Sequence, residues 1–99
     1  MAHQINIKNL SISVSPSIFC EEIDQGYFLL DSESGEYYEF TGVAAIIWKI
    51  IHSNKNKTSV SDLISSLSKD FNSNPEIELD VENFLNELIE LKIILISEQ

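Results

Sequence analysis

Few residues in this sequence of 99 are equipped for covalent or metal chemistry. Cys20 is the only cysteine, which excludes an internal disulfide and any multi-cysteine metal site. No histidine neighbours it in sequence and no nucleophile motif surrounds it, so it reads as a small strand residue. His3 falls in the N-terminal segment. His52 closes an apolar run, where a cation complements the dipole of a helix end. Carboxylates are abundant, yet no GxGxxG, Walker-type loop, HExxH or nucleophile elbow organises them. The chain reads as no enzyme, with no cofactor and no metal. What stands out is the run GEYYEF at 35–40, in which two tyrosines offer apolar area with polar tips between Glu36 and Glu39. Its chemistry is recognition, through backbone hydrogen bonds and side-chain burial.

The elements around that run follow from periodicity. Ser34-Gly35 is a turn signal, and the aromatic content of Glu36, Tyr37, Tyr38, Glu39 and Phe40 suits a strand. Alternation sends Tyr38 and Phe40 to one face and Tyr37 and Glu39 to the other. Upstream, Leu10, Ile12 and Val14 alternate with serines as a first short strand that Pro16 ends. Residues 18–23 resume an extended pattern, Gly26 turns it, and 27–30 is an apolar run of strand length. The reading is a three-stranded antiparallel meander, or a hairpin with a looser first strand.

After Thr41, placed as an N-cap, the period changes to 3.6. Val43, Ile46, Ile47, Ile50 and Ile51 define the face of a helix reaching about Ser53, with Trp48 widening it. A second helix opens at Thr58 or Ser59, with Asp62 as the acid of a capping box and Val60, Leu63, Ile64, Leu67 and Phe71 as its face. Residues 72–79 read as a loop. Asp80 caps a third helix with Val81, Phe84, Leu85, Leu88 and Ile89 inward. Residues 93–96 either extend that helix or form a terminal strand, and their β-branched content favours an extended tail. The expected fold is α+β and winged-helix-like, a three-stranded antiparallel sheet followed by three helices. Residues 1–9 form a partly ordered segment and 10–99 one domain.

Net charge is −10, with six lysines scattered and no arginine. No face can gather the basic stripe that phosphate contacts require, which argues against a winged-helix DNA binder and against nucleic acid generally. The acidic surface suits cationic partners and also keeps a domain soluble. No apolar run is long enough to cross a bilayer, and the N-terminus lacks the basic and apolar regions of a secretory signal, so no membrane association and a cytoplasmic location are expected.

A strand ending a meander has a free edge, which an extended peptide can complete by β-augmentation. Here a resemblance adds to the residues. The run GEYYEFTGVAAIIW resembles the signature of the PqqD-like family, the RiPP recognition elements that bind leader segments of ribosomally made peptide precursors. That signature reads Gly-x-Tyr-Tyr-x-Leu-Asn-x-Thr-Gly-x-x-Ile-Trp. Gly35, Tyr37, Tyr38, Ile47 and Trp48 match it, and Phe40 takes the Leu place. Thr41 stands for Asn, and Val43 and Ala44 for Thr-Gly. The pair Ala44-Ala45 looks closer to the versions of lasso-peptide clusters than to the PQQ-pathway protein. Leu29-Leu30-Asp31, Val60-x-x-Leu63 and Asp80-Val81-x-x-Phe84-Leu85 also look like the family, so the resemblance covers about 12–96.

The resemblance implies that a precursor leader peptide adds as a strand to Glu36, Tyr37, Tyr38, Glu39 and Phe40 and packs against the helix at 80–92. Spacing along that helix offers Val81, Leu85, Leu88 and Lys92 as its contacts. The implied partner is a separate leader-processing cysteine protease in lasso systems, or a radical SAM enzyme in the PQQ pathway. A free edge also leaves room for a homodimer.

Overall fold

Period-two alternation in the N-terminal part builds four strands: β1 (Leu10–Val14), β2 (Ile18–Ile23), β3 (Gly26–Asp31) and β4 (Tyr37–Thr41). The change of period then gives α1 (Gly42–Ser53), a two-residue β5 (Thr58–Ser59), α2 (Val60–Asp70) and α3 (Pro75–Glu90), before the chain ends in β6 (Ile94–Glu98). The computed structural model describes residues 9–53, 57–70 and 75–98. His3, Phe71 and nearly all of the segment 1–9 lie outside the described residues.

The expected α+β architecture forms, with β2-β3-β4 as the antiparallel meander and the three helices following it. β1 is not the looser strand of that meander. It enters a second antiparallel sheet, β5-β1-β6, pairing Leu10 with Glu98 and Val14 with Ile94 on one side and Ile12 with Thr58 on the other. Residues 94–98 are therefore a strand, as their β-branched content favours. The Ser15 amide, donating to the Ile93 carbonyl at 2.9 Å, extends the join.

Two element boundaries differ from expectation. α1 is entered through Gly42 at φ 62°, while Thr41 is the last ladder residue, opposite Gly26. A left-handed glycine, rather than a threonine cap, makes the corner. α3 begins at Pro75, five residues before Asp80, so 75–79 is helix and not loop. Proline has no amide to lose in a first turn, and Glu76 and Glu78 complement the dipole there. α2 behaves as expected: the Asp62 amide donates to Ser59 Oγ at 3.5 Å.

The end of α3 is a Schellman motif without glycine. The Ile93 amide donates to the Leu88 carbonyl and the Lys92 amide to the Ile89 carbonyl, both at 3.0 Å, with Lys92 at φ 61°. Ile93 and Leu88 are both buried, which supplies the apolar contact of that motif.

The core lies between the helices and one face of the meander. α1 contributes Ile47, Trp48 and Ile51, α2 Val60, Leu63 and Leu67, and α3 Val81, Leu85 and Leu88, against Ile12, Leu29, Ile93 and Ile94. α1 is turned so that Trp48 faces inward, which leaves Val43 and Ile46 exposed although periodicity put them on the inner face. Trp48 is fully buried, and its indole N–H donates to Cys20 Sγ at 3.2 Å. Cys20 is thus a half-buried strand residue with a structural task. Gly26 is needed for space: a Cβ there would overlap the Phe40 carbonyl of the neighbouring strand.

Candidate functional site

The turn between β3 and β4 sets which atoms of β4 face outward. Asp31 and Glu36 close it, with the Asp31 amide donating to the Glu36 carbonyl and the Gly35 amide to the Asp31 carbonyl, both at 2.8 Å. Gly35 takes φ 77° in this turn. Asp31 Oδ1 accepts the Glu33 amide at 3.0 Å, and Ser34 Oγ accepts the Glu36 amide at 3.2 Å. Ser32 ties the turn to the β1–β2 loop by donating both its amide and its hydroxyl to the Ser17 carbonyl.

In an antiparallel ladder, hydrogen-bonded and non-hydrogen-bonded pairs alternate. The bonded pair Asp31–Glu36, carried along the register, makes Leu29–Tyr38 and Tyr27–Phe40 bonded pairs as well. Backbone groups of Tyr37 and Glu39 consequently point away from β3. β4 is the last strand of its sheet, and among the described residues no strand pairs with its other side. A free hydrogen-bonding edge therefore runs along Tyr37 and Glu39.

Side chains of β4 divide as alternation requires. Tyr38 and Phe40 are half-buried and pack on the core, whereas Tyr37 and Glu39 are exposed on the opposite face, with Tyr37 against Phe28 at 5.6 Å between ring centroids. On the helix side, Phe40 meets the edge of Trp48 at 5.6 Å and of Phe84 at 5.3 Å. Phe84 thus joins α3 to the edge strand through Phe40. Leu91, seven residues further on, follows the same helical line and faces Tyr38 across a cleft of about 800 Å³. Glu36 sits on the cleft wall.

The helix residues proposed from spacing are distributed differently. Val81, Leu85 and Leu88 are wholly inside the core and offer no surface to a strand added at β4. Lys92 does line the cleft, just beyond the helix end. Phe84, which packs on Phe40, and Leu91, which lines the cleft, are the apolar residues that the structure brings to this side. They lie one heptad apart on the flank of the stripe at 81, 85 and 88, and that offset was the available signal.

Electrostatics at the site are those of a fixed acidic turn. The Glu33 amide holds the Asp31 carboxyl below the usual carboxylate range, with serine hydroxyls of Ser17 and Ser34 and the Ser34 amide adding to it against the opposing effect of burial. Behind the sheet, burial pushes the Cys20 thiol up, which the Trp48 hydrogen bond partly opposes. Burial also raises Tyr27, with Glu22 adding repulsion. A raised thiol is a poor nucleophile. Among the described residues no group of three or more His, Cys, Asp or Glu side chains is placed to hold a metal ion. No helix there is long and apolar enough to cross a membrane.

Residues 26–94 match the family model described as Coenzyme PQQ synthesis protein D (PqqD). The chain belongs to the PqqD family. This match takes in the meander edge, all three helices and the start of β6, so the motif at 35–48 lies within it. PqqD-like recognition domains are not catalytic, in keeping with a site built of backbone edge and apolar side chains. No curated protein sequence matches this PqqD-family chain significantly. Two solved structures share its fold. One, described as TbiB1 in complex with the TbiA(beta) leader peptide, superposes with a TM-score of 0.72 at 20% identity, covering 83% of this chain and 93% of that one. The other, a lasso peptide synthetase B1 complexed with the leader peptide, gives 0.70 at 26% identity, covering 85% and 96%.

Proposed function

We propose that this PqqD-family domain captures the leader segment of a peptide precursor as a fourth strand of the β2-β3-β4 sheet, beside β4, the segment lying between that edge and α3. The observation that carries the reading is the outward-facing backbone of Tyr37 and Glu39 beside the Phe40–Phe84 contact. Main-chain bonds to such an edge supply affinity, and alternate side chains of the peptide entering the groove supply selectivity. The likeness to two structures whose descriptions include bound leader peptides supports the same reading. The domain then presents the precursor to a separate enzyme, a leader-cleaving cysteine protease of a lasso-peptide pathway. The alternative partner is a radical SAM enzyme, which the family's PQQ-pathway description favours.

Titration of the domain with synthetic leader segments of candidate precursor peptides tests the binding. Affinity should fall roughly between nanomolar and micromolar. Glu39→Pro removes an outward amide without touching the β3 ladder, so it should abolish binding while the thermal midpoint changes little. Undiminished binding by that variant sinks the added-strand model. Co-purification with a leader-cleaving cysteine protease or with a radical SAM enzyme distinguishes the two partners.

A further inference from the structure

We propose that the cleft where β4 begins is a specificity pocket for one lysine or arginine of the peptide strand; this rests on the added-strand reading above. Tyr38 and Phe40 share the helix-side face of β4 and Glu36, just before the strand, continues their alternation onto the cleft, so peptide residues on that face enter the groove in alternation. The residue beside Tyr38 and Phe40 meets aromatic surface, and the one beside Glu36 enters the cleft. Among the described residues four carboxylates line that cleft, Asp31, Glu33, Glu36 and Glu90, against the single ammonium of Lys92.

The four are not equivalent. Asp31 is 6% exposed and bonded to the turn amide of Glu33, so its charge is fixed in place beneath the turn. Glu90 occupies the last turn of α3, where no basic residue offsets it and the helix dipole is already negative. That placement disfavours the helix on its own, and a cation bound opposite Glu90 relieves it. The carboxylates are too dispersed to form a metal-ligand group. Tyr38, Leu91 and Leu95 add apolar wall between them. Dispersed acids around apolar wall fit a long side chain with an aliphatic stem and a charged head, which is lysine or arginine.

The test selects displayed random 15-residue peptides on the full chain at low salt and measures synthetic versions of the enriched sequences. Edge-binding peptides, recognised by loss of binding to Glu39→Pro, should carry a basic residue at one end of an alternating apolar stretch. Replacing that residue by Gln should weaken binding about tenfold at low salt, and the loss should shrink as salt rises. A Glu36→Lys, Glu90→Lys double variant, verified as folded by its thermal midpoint, should instead prefer Glu at that position. Edge-binding peptides indifferent to the basic residue and to the charge swap overturn the pocket and leave the added-strand reading standing. Enrichment of only edge-independent peptides, or of none, overturns both.

Discussion

Phe40 of the edge strand and Phe84 of the third helix meet edge to face with 5.3 Å between their ring centroids. This contact joins core and edge strand, because Phe40 of β4 also touches buried Trp48 while Phe84 packs against the same core from α3. Phe84→Ala removes a half-buried ring and an aromatic pair, which should cost about 2 kcal/mol, less than a fully buried phenylalanine. In a domain of this size the thermal midpoint should fall by roughly 10 °C. Leader affinity should fall about tenfold or more by calorimetry, since the groove loses an aromatic wall. Phe84→Leu should recover most of the stability and less of the affinity.

Trp48 and Cys20 form the one side-chain bond tying α1 to β2 among the described residues. Cys20→Ala leaves a fully buried indole N–H without its acceptor, at about 1–3 kcal/mol. Cys20→Ser keeps an acceptor and should lose less, as chemical denaturation would show. The native thiol, raised by burial, should alkylate slowly with iodoacetamide at neutral pH and quickly once denatured.

Lys92 holds φ 61° at a position where glycine carries no Cβ penalty. Lys92→Gly should therefore stabilise the domain by about 0.5–1 kcal/mol, and Lys92→Val should destabilise it more strongly. Urea midpoints with unchanged slopes would confirm that the effect is on stability. The same Lys92→Gly change removes an ammonium from the acidic cleft, so it should tighten rather than weaken binding of a basic peptide.

Asp31 makes the β3–β4 turn sensitive to acid. Its carboxyl in the folded chain lies below its unfolded value, chiefly through the Glu33 amide. The stabilisation is therefore fully present above the ordinary carboxylate range and is lost as pH falls through the depressed folded value. Asp31→Asn retains an acceptor oxygen but not the charge. The midpoint difference between wild type and Asp31→Asn should be largest near neutrality and close on acidification. A pH-independent difference would assign the effect to turn geometry alone.

Local pattern was enough for much of this protein. The alternation at 36–40, the switch of period after Thr41, the Ser59 cap and the extended tail at 93–96 were all legible, because each depends on neighbours a few residues away. Together with the motif from Gly35 to Trp48 they put forward the edge strand as the proposed place of recognition. What local pattern could not decide was how those elements are rotated and joined. The sheet β5-β1-β6 unites residues from both ends of the chain, and no period announces such a pairing. On α3, the apolar residues form a stripe too wide for periodicity to divide. Tertiary packing took Val81, Leu85 and Leu88 into the core and left Phe84 half-buried against Phe40 and Leu91, just past the helix end, on the cleft. On β4 the identity of the outward backbone groups waited on one bond, Asp31 to Glu36, since shifting the bonded pairs by one residue would turn Tyr37 and Glu39 inward. Side-chain alternation is a property of the strand itself, whereas hydrogen-bond parity belongs to the pair of strands.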